Sequence, residues 1–156
     1  MLMMTACKTI LAIVLLGLSS YSFALENRSC FSGAANRFNV DETLLIAIAK
    51  KESSFNHKAI GRNKDGSEDY GLMQINSTHL PTLQRAGFSK NELFEPCTSI
   101  YIGAYILHGC IQRHGSTWRA VGCYNAGSRK NREAARLKYV LDVKRIYQTI
   151  KRRGLA

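Results

Sequence analysis

Four cysteines govern what this chain can fold into. Cys30, Cys97, Cys110 and Cys123 are spread through the body of the sequence, while the fifth, Cys7, lies in a start of different chemistry. That start carries Lys8 near the amino terminus, an apolar run from Ile10 to Leu18, and then Ser22-Phe23-Ala24. A positive end, a short apolar stretch and small residues at alternate positions mark a secretory leader, Met1 to Ala24, cut after Ala24. The run is short for spanning a bilayer as a mature anchor, with an uncleaved amino-terminal anchor or a buried helix as the alternative, and no later segment approaches the ~20 apolar residues a spanning helix needs. The expectation is a signal peptide over 1–24 and an exported protein over 25–156, not stably inserted in a membrane. Loss of Cys7 leaves an even set, and four cysteines in an oxidising compartment read as two disulfides. Their spacings are unlike the close CxxC pairs of a zinc site, so no metal is expected.

Helical geometry removes one of the three pairings. Ile100, Ala104, Leu107 and Ile111 recur at helical spacing behind Pro96, which suits a first helical turn. On such a helix the thirteen residues from Cys97 to Cys110 span about 20 Å. A disulfide needs its Cα atoms within about 7 Å. Of the two arrangements left, Cys30 with Cys97 and Cys110 with Cys123 is favoured, because the second bridge closes a short helix-loop-helix turn through Gly115. The crossed arrangement stays open.

The remainder predicts one domain in the α+β class, predominantly α. Asp41 can cap a helix from Glu42 to about Ser53 whose apolar side holds Leu44, Leu45, Ile48 and Ala49. Ser89 with Glu92 forms a capping box and Phe88 with Leu93 a hydrophobic staple, which predicts another helix start there. A shorter helix runs from Thr117 to near Gly127, and a last one from about Glu133 to Lys151 places Val140, Val143, Tyr147 and Ile150 on one side. Asn56 to Tyr70 is polar and contains Gly61, Asn63, Asp65, Gly66 and Asp69, a loop with room for a small hairpin.

Glu52 is the first candidate for chemistry. Ile48 and Leu45 lie four and seven residues before it, so its carboxyl group falls on the apolar stripe of its helix. Desolvation there disfavours the charged form and raises the pKa toward the range in which a carboxylic acid can donate a proton near neutrality.

Further residues follow Glu52 in a telling order. They are Ser53-Ser54-Phe55-Asn56, then Tyr70-Gly71-Leu72-Met73-Gln74-Ile75-Asn76, then Cys123-Tyr124-Asn125-Ala126-Gly127, then Tyr139-Val140. Together, from about Cys30 to Tyr147, they resemble the transglycosylase SLT domain family. Within that family the short chain is most similar to specialised lytic transglycosylases of type III and type IV secretion and conjugal transfer, the invasion protein IagB-like group.

The resemblance implies a lysozyme-like fold, with a helical core and a small hairpin or loop lobe. It also implies an activity: cleavage of the β-1,4 bond between N-acetylmuramic acid and N-acetylglucosamine in peptidoglycan, leaving a 1,6-anhydromuramyl end. Glu52 would be the general acid and then the general base, and no cofactor is called for. Ser53, Gly71, Met73, Gln74, Asn76, Tyr124, Asn125 and Tyr139 would be substrate-binding. Gly71 would let backbone approach a sugar, Tyr124 would offer a stacking surface, Asn125 an amide for acetamido groups, and Tyr139 a hydrogen bond orienting Glu52. Asp69 is a candidate second carboxylate across the sugar ring, as in lysozymes. The alternatives are a hydrolytic lysozyme using Glu52 and Asp69, and a non-catalytic glycan-binding scaffold. The expected setting is a periplasmic monomer acting on peptidoglycan strands, with a periplasmic component of a secretion or conjugation machine as partner.

Charge alone would allow another partner. The chain carries 22 Lys plus Arg against 11 Asp plus Glu, a net +11 that favours polyanions. Ten basic and two acidic residues fall in Ser128 to Ala156, leaving only +2 for Leu25 to Gly127. Export, and the lack of a recognisable base-reading motif, turn the expectation away from nucleic acid and toward the wall.

Overall fold

Local chemistry starts the fold at Asp41. The computed structural model describes residues 27–127 and 132–153. The expected leader, Met1 to Ala24, lies outside the described residues, as do both ends of the basic tail. Helix α1 covers 27–38, and helix α2, Glu42–Ser53, begins where the Asp41 carboxylate accepts the Leu44 N–H at 2.8 Å. Glu42 in the first turn and Lys50 and Lys51 in the last complement the helix dipole, and α2 ends at Ser54 with φ 53°. The predicted apolar side is buried through Leu45, Ile48 and Ala49.

The polar stretch after α2 forms a small antiparallel sheet. Strands β1, Ile60–Arg62, and β2, Glu68–Tyr70, pair as a hairpin with Gly61 opposite Asp69. Strand β3, Ile75–Asn76, adds to β2 with Asn76 opposite Asp69, so Asp69 sits mid-sheet with a neighbour on each side. The sequence contains no sign of β3, because two residues are too few to show alternation. A 3-10 turn, Ser77–His79, and helix α3, Leu80–Arg85, return the chain to the helical lobe.

The helix start predicted at Ser89 is cut short. Glu92 does reach back, accepting the Ser89 N–H at 2.7 Å and the Ser89 hydroxyl at 2.8 Å. Only a 3-10 turn, Asn91–Phe94, follows, and Phe88 remains exposed while Leu93 is buried. Pro96 is the reason: it forces Glu95 into an extended conformation (φ −76°, ψ 123°) and opens a new helix, α4, Pro96–His114. Helices α5, Trp118–Ala126, and α6, Glu133–Arg153, complete the lobe.

Disulfides bridge Cys30 to Cys97 and Cys110 to Cys123. The first ties α1 to the first turn of α4 and the second ties the last turns of α4 to α5. Ile100 and Leu107 on α4 pack in one core with Leu45 and Ile48 of α2, Val121 of α5 and Val143 of α6. The architecture is α+β and predominantly helical, with the sheet as a minor lobe beside it.

One segment joins the lobes at very close range. Gly71 has φ +74°, and a Cβ there would be driven into the Leu93 carbonyl oxygen. Met73 is fully buried against Gly103, where an added Cβ would come within 2.7 Å of the Met73 methyl. The Met73 N–H is taken by the Ser99 hydroxyl at 3.1 Å. This segment leaves the sheet and threads through the helical core rather than lying over it.

Candidate active site

Glu52 stands in the last turn of α2, at the junction of the two lobes. Its Oε1 accepts a hydrogen bond from the Tyr139 hydroxyl of α6 at 2.5 Å. Next to it, Lys51 donates to Asp142 at 2.9 Å, three residues along α6 from Tyr139. The α2–α6 packing is thus keyed by two polar contacts whose partners lie one helical turn apart. Burial raises the Glu52 carboxyl to about 7; the Tyr139 bond pulls it down, the Asp69 charge pushes it up and Lys51 lowers it. Burial, with the nearby Glu52 charge, lifts the Tyr139 phenol well above its ordinary value, so it remains a donor.

Asp69 is held from both sides by the sheet. Its Oδ1 accepts from Asn76 Nδ2 at 2.7 Å and its Oδ2 from Asn63 Nδ2 at 2.8 Å. Asn76 is itself fixed, because its Oδ1 accepts from Thr78 N–H at 3.0 Å and Thr78 Oγ1 at 2.7 Å. Glu68 points elsewhere, into a bond from the Tyr70 hydroxyl and ion pairs with Arg62 and Lys90, which hold its carboxyl below the ordinary range.

Between the lobes lies a cleft of about 570 Å³, into which Glu52, Asp69, Gln74, Asn76, Tyr124 and Asn125 all face. Gln74 adopts φ 49° and spends its amide N–H groups on the Ala59 and Gly71 carbonyls. Asn125 is exposed at the end of α5.

Four residues expected to bind substrate do not line this cleft. Ser53 donates its hydroxyl to the Leu72 carbonyl at 2.7 Å and so fastens the interlobe segment. Gly71 packs on the Leu93 carbonyl, which by itself requires glycine there. Met73 is core, since the turn at Gly71 and the left-handed Gln74 send its side chain inward. Tyr139 is buried and meets Glu52 from behind. Tyr124 does line the cleft, but its hydroxyl donates to the Met73 carbonyl at 2.9 Å, so the ring is pinned as a wall.

Residues that the sequence did not single out complete the walls, among them Asn63, Ser67, Thr78 and His79 from the sheet side and Arg113 from α4. Two had usable signals. Asn63 lies across a hairpin from Asp69, and Arg113 follows Cys110 by three residues, on the same helical face. Burial depresses the His79 imidazole below its ordinary value. Among the described residues no group of three His, Cys, Asp or Glu side chains could hold a metal ion.

Comparison with known proteins gives a consistent picture. Residues 29–146 match the family of the transglycosylase SLT domain. Protein IpgF of Shigella flexneri is 42% identical over 127 residues, covering 81% of this chain and 84% of IpgF. Invasion protein IagB of Salmonella typhimurium is 42% identical over 123 residues, covering 78% and 77%. X polypeptide of Escherichia coli K12 is 41% identical over 147 residues, covering 92% and 85%. Among solved structures, the 70 kDa soluble lytic transglycosylase of Escherichia coli superposes with a TM-score of 0.67 at 22% identity over 82% of this chain. The lytic transglycosylase Slt of Pseudomonas aeruginosa gives 0.66 at 24% identity, also over 82%. The chain spans 24% of the length of each of these two larger proteins, whose likeness is one of fold.

Proposed function

The chain belongs to the transglycosylase SLT domain family and is a peptidoglycan lytic transglycosylase; from that membership we propose that it cuts the β-1,4 bond between N-acetylmuramic acid and N-acetylglucosamine without consuming water. One observation carries this reading. A single carboxyl group, Glu52, is drawn back into the cleft, oriented by Tyr139, and has a pKa of about 7. Such a group can be acid and base in turn.

In the first step protonated Glu52 gives its proton to the glycosidic oxygen and the bond to the anomeric carbon breaks. Glu52, now a carboxylate, takes the proton from the muramyl 6-hydroxyl. That oxygen closes on the anomeric carbon and leaves the 1,6-anhydro ring, with Glu52 protonated again. Asp69 has both oxygens engaged by Asn63 and Asn76, which favours a fixed negative charge facing the oxocarbenium-like centre over a mobile nucleophile.

Export to the periplasm through the Met1–Ala24 leader remains part of the proposal. So does a role in opening the wall locally for a secretion or conjugation apparatus, supported by the likeness to a relative named an invasion protein.

Mass spectrometry of fragments released from purified sacculi tests the reaction. Anhydro-ended muropeptides are expected. Reducing muramic ends would make the enzyme a hydrolytic lysozyme, and no release at all would leave a glycan-binding scaffold. Asp69→Asn is expected to slow release by roughly 10- to 100-fold while keeping the anhydro products, since it removes charge but keeps shape.

The acid role sets a pH dependence. Only protonated Glu52 starts the reaction, so kcat/KM should fall as pH rises through about 7. The Tyr139 bond stabilises the carboxylate, so removing it raises the Glu52 pKa. Tyr139→Phe is therefore expected to move the alkaline limb to higher pH and to lower the plateau rate. An unmoved limb would mean that Tyr139 serves packing alone.

A further inference from the structure

The cleft holds cations that the proposed chemistry leaves unused. Lys64 stands on the hairpin loop, Arg132 just before α6, and Arg113 in the last turn of α4. None of the three forms an ion pair among the described residues. Asp69 of the cleft takes its hydrogen bonds from the neutral amides of Asn63 and Asn76.

Arg113 differs from the other two in being anchored. Its Nη2 donates to Cys110 Sγ at 3.4 Å and to Cys123 Sγ at 3.5 Å, so the guanidinium lies across the disulfide that joins α4 to α5. Sulfur is a weak acceptor, and the contact restrains a flexible side chain whose positive charge has no carboxylate partner among the described residues. The remaining N–H groups of a guanidinium held this way suit a carboxylate. The glycan backbone of peptidoglycan is uncharged, and its carboxylates belong to the stem peptides on the lactyl groups of muramic acid.

Building on the peptidoglycan reading of the cleft, we infer that Arg113, pinned on the Cys110–Cys123 bridge, binds a stem-peptide carboxylate and makes the enzyme prefer peptidoglycan whose stem carboxylates are free to peptidoglycan in which they are blocked. Lys64 and Arg132 add a diffuse attraction that salt screens, whereas Arg113 supplies a fixed contact.

The test separates binding from cleavage. Binding is measured with Glu52→Gln protein on intact sacculi and on sacculi whose stem-peptide carboxylates have been converted to amides with a carbodiimide and ammonia, with and without Arg113→Ala. Loss of Arg113 is expected to weaken binding to intact sacculi about tenfold, the range of a charge-assisted hydrogen bond at a wet site, and to change binding to amidated sacculi less than twofold. Equal weakening on both substrates, or none on either, would overturn the inference. Cleavage by protein retaining Glu52 is followed in parallel on both substrates. Arg113-dependent binding without any cleavage would sink the catalytic reading and leave the peptide contact standing; cleavage with Arg113-independent binding would do the reverse.

Discussion

Glu52→Gln is expected to lower release of muropeptides by roughly a thousandfold and, above neutral pH, to make the protein more stable. The first effect follows from chemistry. A positioned general acid contributes about 10²- to 10⁴-fold, and in the proposed mechanism Glu52 performs both proton transfers while Asp69 is held by Asn63 and Asn76. The second follows from linkage. The Glu52 pKa is raised in the folded state from 4.5 to about 7, so the folded protein binds a proton more tightly than the unfolded chain. The protonated, buried group is tolerated below pH 4.5, and the fold progressively loses stability as pH rises toward 7 and the carboxylate must stay desolvated. The full shift corresponds to about 3 kcal/mol, reduced to roughly 2 kcal/mol where water reaches the cleft side. Glutamine does not titrate and can still accept the Tyr139 bond. Denaturant unfolding at pH 4.5 and pH 8 should therefore show the variant gaining on the wild type by roughly 2 kcal/mol between the two. A constant difference would mean that Glu52 is not desolvated as described.

Gly71→Ala is expected to cost about 3 kcal/mol or more and to disorder the lobe junction. Two penalties coincide at this position. A left-handed backbone costs an L-residue roughly 1 kcal/mol, and the new methyl meets the Leu93 carbonyl, a backbone oxygen that cannot step aside. Gly66 provides the control. It has φ +82° at the hairpin, yet nothing lies within 4 Å of where its Cβ would be. Gly66→Ala should cost only the conformational term, roughly 1 kcal/mol. Chemical unfolding of the two variants side by side checks this, and similar losses would show that the Leu93 contact is unimportant. Because the same segment carries Gln74 and supplies the Met73 carbonyl to Tyr124, Gly71→Ala should lose activity at temperatures where Gly66→Ala is unaffected.

These effects show which parts of the molecule were legible in the sequence. The Asp41 cap and the place of Glu52 on an apolar stripe depend on neighbours within two turns of helix, and local spacing contains that information. The hairpin was legible for the same reason, through its glycines and Asn63. The roles within Tyr70 to Asn76 were not. Positive φ at Gly71 and Gln74 turns the chain twice in four residues, so neither a period of 2 nor one of 3.6 says which side chains face the cleft. Met73 went into the core for that reason, and Gln74 to the wall. The helix start at Ser89 was misleading because a sound local signal met Pro96 seven residues later. Arg113 was overlooked because its meaning lies in two sulfur atoms, one on each of two helices.

The partners Glu52 and Tyr139 are 87 residues apart in the chain. Synthesis therefore delivers the acid long before the phenol that aims it. A product released early, short of the sixth helix, would contain the whole cleft motif around Gly71 and yet present an unaimed, solvated carboxylate with an ordinary affinity for its proton. A chain truncated before α6 is therefore expected to be inactive although every residue of the Gly71 segment is present.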